Sequence, residues 1–395
     1  MNWFWGRKAA PDVRPLVPDW LGADEGGFAT GYAAQVDEVF RRNPVGQRSV
    51  RLIAGMLGGL QVYAAEGDAR AARIAGADGL LEGIAANLLL HGNAYVQLLG
   101  GDEAPIELVQ LRPERVSVVA DERGWPTAYL YRAAGHASRI ERSDPLGRRQ
   151  VAHVKALHPR DDHYGLGCLE AALGAASVHN RAAKWNKALL DNAARPSGAL
   201  TYEPADGAAL TAEQFERLRD ELTREFSGTG NAGRPLLLDG GLKWQAMSLT
   251  PADMDFVALK EAAARDIALA FGVPPVLVGL PGDATYANAR EAGRALYRQT
   301  ILPMAARILA GLSEMLGDWL GPVKLAVDTD QLTELSEDRA KLWEQVNGAS
   351  FLSDAEKREM LGFGPEEGKP SPNQRPAANR SPNGPNGSLP PAGEG

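Results

Sequence analysis

From residue 169 to 194 the chain runs for about 26 residues through alanine-rich helix formers, with no breaker beyond Gly174, and it stops at Arg195-Pro196-Ser197-Gly198. A helix of that extent would be about 39 Å long. A second long helix is expected to open with Thr250 as N-cap, Pro251 at its first position and Asp253 in its first turn. Its apolar stripe is Phe256, Leu259, Ala263, Ile267 and Ala270, and it ends at Gly272 with Pro274-Pro275 beyond. Between the two lies an excursion of roughly 50 residues with α/β patterning. It reads as a strand over 199–202, a capping box at Thr211-Ala212-Glu213-Gln214 opening a helix over 215–226, a glycine-rich turn at 228–233, and strands over 235–239 and 242–247. Because the excursion returns the chain, the long helices must run roughly antiparallel. Two such rods with a modest apolar stripe bury little alone, so they are best explained if copies of the chain close around them as a ring.

The segments before and after this core differ in character. Residues 1–30, with Pro11, Pro15 and Pro18, read as an extended or poorly ordered arm, and the arm as a whole is taken to 42. Asn43-Pro44 opens a helix carrying Val45, Ser49, Leu52, Ile53 and Met56 at helical spacing. A strand over 60–63, a helix over 80–88 and a turn at His91-Gly92-Asn93 follow. Strands over 94–99, 107–111, 116–120, 127–132 and 150–155 complete an α+β module with a largely antiparallel sheet. After the second long helix, 279–288 reads as a loop. A third helix over 289–320 contains Pro303, which should kink or break it. A strand over 323–327, a helix over 334–346 and a capping box at Ser353-Asp354-Ala355-Glu356 complete the patterned part, and the Pro-, Gly-, Asn- and Ser-rich tail from 364 to 395 is expected to be disordered.

Composition limits the chemistry. The chain of 395 residues has a formal net charge of -8, which argues against a protein that grips DNA over a broad basic face but not against one past which DNA slides. Its single cysteine, Cys168, cannot form an internal disulfide and fits a reducing compartment. No leader and no apolar run long enough to span a membrane is visible, so the chain is expected to be cytoplasmic when made. Cys168 with His153, His158, His163 or His179 as base would be needed for a hydrolase, but no orienting group or oxyanion hole is marked. His153, His158, Asp161, Asp162 and His163 cluster in sequence without zinc-type spacing and read as a solvated loop, so no metal and no cofactor are expected. Residues 178–195 carry a net charge of +3 from Arg181, Lys184, Lys187 and Arg195 against Asp191.

The chain resembles the portal proteins of tailed phages, in the branch typical of long-tailed phages and gene transfer agents. Asn43-Pro44-Val45, His91-Gly92-Asn93-Ala94-Tyr95-Val96, His153 with Tyr164-Gly165-Leu166-Gly167, and Ala194-Arg195-Pro196-Ser197-Gly198 carry the likeness. So do the run from Asn231 to Leu238, the run from Ile267 to Pro275, Thr285-Tyr286-Ala287-Asn288 and Thr300-Ile301-Leu302-Pro303. The resemblance implies an α+β subunit with a wing (43–168 plus 290–327), a stem of two helices (169–195 and 253–272), a clip (196–252), a tunnel loop (within 273–289) and a short helical crown (328–363). It implies a non-enzymatic ring of twelve copies at one capsid vertex of a virion or phage-like particle. Double-stranded DNA would pass through, and the partners would be terminase, the head-to-tail adaptor and the major capsid protein, with no membrane. The residues expected at the channel are Arg181, Lys184, Lys187 and Lys260. Those expected in the tunnel loop are Gly279, Gly282, Asp283, Thr285, Tyr286 and Asn288, and those at the docking clip are Glu213, Glu216, Arg219, Arg224, Asn231 and Arg234. The competing readings are a head-to-tail adaptor or other connector ring, and a cysteine or histidine hydrolase.

Overall fold

The computed structural model describes residues 31–100, 105–191, 198–202, 211–226, 242–246, 256–280 and 285–361. The chain divides into two compact units, Met1–Asp328 and Thr329–Gly395.

In the first unit a short helix α1 (Tyr32–Val36) passes into a π-helical turn, Asp37–Arg41, inside what the sequence suggested as an arm. Helix α2 (Pro44–Gly58) begins where Asn43 lends its side-chain oxygen to the N–H groups of Val45 and Gly46, both at 3.0 Å. Pro44 occupies the first helical position, where a missing N–H costs nothing. Its buried stripe is Val45, Val50, Ile53, Ala54 and Leu57. Strand β1 (Val62–Glu66), α3 (Ala69–Ala75) and α4 (Leu80–His91) follow, and α4 stops at left-handed Gly92. Next come β2 (Asn93–Gly100), β3 (Pro105–Leu111), β4 (Val116–Ala120), β5 (Pro126–Ala133), β6 (His136–Glu141) and β7 (Val151–Lys155).

Every expected strand of this module is present and all pairings are antiparallel, but the strands split. Among the described residues there are two three-stranded sheets, ordered β3-β2-β7 and β4-β5-β6. The turn Pro113–Arg115 redirects the chain between them, and the Tyr164 hydroxyl accepts the N–H of Val118 at 2.9 Å, occupying the free edge of β4. One apolar cluster holds both sheets together: Tyr95, Leu111, Val116, Val118, Tyr129, Val151 and Tyr164.

Helix α5 (Leu169–Asp191) leads into β8 (Gly198–Tyr202), α6 (Ala212–Phe226) and β9 (Leu242–Ala246), and α7 (Phe256–Ala270) returns. Strands β8 and β9 pair antiparallel, so the two ends of the excursion meet. Its capping box is formed, with Gln214 N–H to Thr211 Oγ1 at 3.3 Å and Thr211 N–H to Gln214 Oε1 at 2.9 Å. The expected strand over 235–239, the turn over 228–233, the Thr250 cap and the tail lie outside the described residues.

The third helix departs from expectation at both ends of its first half. It begins as α8 (Tyr286–Leu296), passes through a π turn (Tyr297–Ile301) and continues as α9 (Leu302–Leu320). Pro303 neither breaks nor ends it. The Leu302 N–H bonds the Tyr297 carbonyl, five residues back, so an extra residue is taken up just where the proline ring would otherwise crowd the preceding turn. The apolar stripe of α9 is fully buried through Ile308, Leu312, Met315 and Leu316. Strand β10 (Lys324–Val327) then pairs with β1, Val62 opposite Val327, tying the end of this unit to its beginning.

The second unit contains α10 (Ser336–Gly348) and α11 (Asp354–Met360). The expected capping box at Ser353 is complete, its N–H reaching Glu356 Oε2 at 2.8 Å.

Candidate functional site

Helices α5 and α7 pack on each other, and their burial changes along their length. In α5 the buried positions are Leu169, Ala172, Leu173, Ala176, Ser177, His179, Asn180 and Ala182, whereas beyond Ala182 the described side chains up to Ala188 are exposed or half-exposed on every face. In α7 the order is reversed: Val257 to Ala262 are exposed or half-exposed, and Ala263, Ala264, Ile267 and Ala268 are buried. The N-terminal half of one helix and the C-terminal half of the other therefore share the body, which fixes them as antiparallel. Their other halves stand clear, exposing Trp185 (48%), Val257 (69%) and Leu259 (46%).

At the last buried turn of α5 sits a polar clamp. Asn43, while capping α2 with its oxygen, donates its amide nitrogen to Asn180 Oδ1 at 3.0 Å and lies 3.3 Å from His179 Nδ1. Asn180 donates in turn to the Glu38 carbonyl at 2.9 Å and to Glu38 Oε1 at 3.1 Å. Asn43, His179 and Asn180 are all buried. Burial, and after it the nearby Lys260 ammonium, holds the His179 imidazole below its ordinary pKa. One asparagine thus joins α2, the π turn and the point where α5 leaves the body.

A second junction lies under the start of α5. Asn93 Oδ1 accepts the Gly165 N–H at 2.7 Å and faces His153 Nε2 at 3.0 Å, while its amide donates to the Gly165 carbonyl at 3.0 Å and the His91 carbonyl at 3.2 Å. The Cys168 N–H bonds the Leu89 carbonyl at 2.7 Å. Here backbones touch directly: a Cβ on Gly165 would collide with the Gly92 carbonyl oxygen, and one on Gly92 with the backbone of Gly165 and Leu166.

His153 stacks on Tyr95 with ring centroids 4.2 Å apart. Burial, then the Lys155 charge, pushes its pKa down to about 3, and burial pushes His91 down to about 4. The reading of the histidine cluster as one solvated loop is therefore corrected for His153, whose strand carries it into the sheet module. Asp161 instead fixes the turn, accepting the N–H groups of His163 at 2.7 Å and Tyr164 at 2.9 Å. Burial raises the Cys168 thiol to about 11, the wrong direction for a nucleophile. Among the described residues no group of three or more His, Cys, Asp or Glu is placed to hold a metal ion, and no helix is long and apolar enough to cross a membrane.

The expected site residues are scattered over these elements. Arg181, Lys184 and Lys187 are exposed on α5, and Lys260 is half-buried across on α7. Gly279 is left-handed after a single 3-10 turn, Pro275–Val278. Thr285 caps α8, bonding the Asn288 N–H at 3.2 Å, so Tyr286 and Asn288 belong to a helix and not to the loop. The lone threonine cap ahead of Ala-, Arg- and Glu-rich sequence was the signal for it. Gly282, Asp283, Asn231 and Arg234 lie outside the described residues. Glu213, Glu216 and Arg219 are exposed on α6, where Arg219 bonds Glu216 Oε1 at 3.0 Å; Arg224 lies further along the same helix.

Compared with known proteins, the chain matches the family model "Phage portal protein" over residues 44–362. The chain belongs to the phage portal protein family. It is 42% identical over 291 residues to an uncharacterised protein of Rickettsia bellii, covering 73% of this chain and 74% of that one. Among solved structures it resembles a chain in the virion of a native gene transfer agent particle, with a TM-score of 0.67, 43% identity, and coverage of 89% of this chain and 96% of the other. A chain from the neck of the native particle, computed with C12 symmetry, matches with a TM-score of 0.64 and 44% identity over 85% of this chain and 94% of that one. The mixed α and β subunit expected of a portal protein is thus the one observed. Several motifs that carried the resemblance are the residues of the two junctions: Asn43-Pro44 in the clamp, and Gly92-Asn93, His153 and Gly165 beneath α5. In this portal protein the first ties α2 and the π turn to α5, and the second seats the start of α5 on the sheet module.

Proposed function

We propose that this subunit assembles into a twelve-membered ring at a unique capsid vertex of a gene-transfer-agent-type particle, where it forms the channel for DNA packaging and ejection. On this reading the wing is 43–168 with 290–327, the stem is α5 with α7, the clip is the excursion carrying α6, and the crown is α10 with α11. The clip would dock terminase first and the head-to-tail adaptor afterwards, and the wing would meet the major capsid protein. The observation that carries the reading is the open outer half of the α5–α7 pair. Rods that expose tryptophan, valine and leucine on a single chain gain stability when neighbouring copies cover them in a closed ring. The likeness to a neck chain of C12 symmetry supports the subunit number. Stem lysines, repeated once per copy, would circle the passing phosphates, with acidic neighbours limiting grip.

The test is the mass of the purified assembly together with charge reversal of Lys184 and Lys187. A closed ring on the order of 500 kDa is expected, and particles carrying the reversed residues should package or retain less DNA. A monomer under assembly conditions overturns the ring, and normal packaging with both lysines reversed overturns the stem contact.

A further inference from the structure

Residues 41–58 hold Arg41, Arg42, Arg48 and Arg51 and no acidic residue, a charge of +4 in a chain of -8. All four side chains belong to exposed residues of the π turn, its exit and α2. Arg41 is paired to Asp37 at 2.7 Å. Among the described residues, Arg42, Arg48 and Arg51 make no ion pair and no side-chain hydrogen bond. Arg48 and Arg51 are three apart on α2, hence on one face. The other exposed positions of that helix are Pro44, Gly55 and Gly58. No large apolar side chain is exposed from 32 to 58.

We propose that Arg42, Arg48 and Arg51, with Arg41 beside them, form a face that binds the sugar-phosphate backbone of double-stranded DNA. Exposed cations without an ion-pair partner, carried by a helix and the turn before it, attract a polyanion. The guanidinium fork matches phosphate oxygens two at a time. An acidic protein partner would be recognised differently, because protein interfaces are built on buried aromatic or aliphatic anchors inside a polar rim, and this face offers none. Charge with planar donors and no anchor is what backbone contact requires, and it carries no sequence preference. Asn43 makes the placement firm, since the same side chain that caps α2 locks the turn bearing Arg41 and Arg42 to α5 through Asn180 and Glu38. The proposal rests on the reading of the chain as a DNA channel but uses residues apart from the stem lysines.

The experiment compares purified full-length wild type with Arg42→Gln/Arg48→Gln/Arg51→Gln and with a separate Lys184→Gln/Lys187→Gln variant. Each preparation is first weighed as an assembly, then titrated with a labelled random-sequence duplex over a series of salt concentrations. Loss of three phosphate contacts makes the slope of log affinity against log salt shallower by about 2.7 for each engaged subunit. Equal slopes and affinities for intact assemblies of wild type and the arginine variant overturn the inference while leaving the channel reading standing. Absence of any high-mass assembly in wild type fails the channel reading instead, and monomers that still lose DNA binding with the arginines uphold the face alone. Displacement of the duplex by polyglutamate at equal charge, with an unchanged salt slope in the variant, would assign the face to an acidic protein and overturn the proposal.

Discussion

Asn43 performs two tasks with one side chain, and substitutions separate them. Its oxygen caps α2 through two N–H groups at 3.0 Å, and its amide nitrogen bonds Asn180 at 3.0 Å. Loss of an N-cap costs about 0.5–2 kcal/mol. Loss of the amide leaves Asn180 Oδ1 buried without its donor, which costs about 1–3 kcal/mol. Asn43→Ser keeps a capping oxygen and loses the clamp, so it should cost about 1–3 kcal/mol; Asn43→Ala loses both and should cost about 1.5–5 kcal/mol. Urea unfolding followed by tryptophan fluorescence measures both, and a double-mutant cycle with Asn180→Ala isolates the coupling. A serine variant as stable as wild type would refute the clamp, and serine and alanine variants of equal stability would refute the cap. Coupling below about 0.5 kcal/mol between Asn43 and Asn180 would show that the contact transmits nothing to α5.

Gly165→Ala forces a methyl group against the Gly92 carbonyl, so soluble yield should collapse or the urea midpoint fall well below wild type, whereas Gly174→Ala in α5, where an added Cβ meets nothing within 4 Å, should be neutral to stabilising. His153 and His91 have folded pKa values of about 3 and about 4, below their ordinary 6.5, so between those limits the unfolded chain binds more protons. Stability should therefore be complete above about pH 6.5 and fall steadily as the pH drops toward 4. His153→Gln should flatten that slope in urea midpoints taken across the range. Cys168, raised to about 11, should react with iodoacetamide at pH 8 far more slowly than a free thiol, and rapid alkylation of the native protein would contradict the raised thiol.

Local sequence was sufficient wherever a short-range rule governed the outcome. The caps at Asn43, Thr211 and Ser353 form as read, because a capping oxygen needs only the N–H groups two or three residues on. The strands β2 to β5 and β7 also sit where alternation put them, with ends shifted by one or two residues. At Pro303 a proline in a helical run reads as a kink or break; the helix runs on without a break, and nothing in the sequence announces that a π turn will take up the extra residue. The start of α8 was missed because an isolated threonine after a glycine-rich stretch is a weak signal without its helix beside it.

The order of the elements, the long helices bracketing an excursion, and the resemblance to portal proteins were all present in the sequence, because periodicity and motif order are properties of neighbours along the chain. That Asn43 reaches Asn180, that Asn93 holds His153 and Gly165, and that β1 pairs with β10 depended on the folded chain. Each joins residues from 60 to more than 250 positions apart, and a hydrogen bond of that span has no periodic trace. The same holds for the exposed arginines of α2. Their spacing is plain in the sequence, but only packing shows that the opposite face is buried and that, among the described residues, no carboxylate comes round to meet Arg42, Arg48 or Arg51.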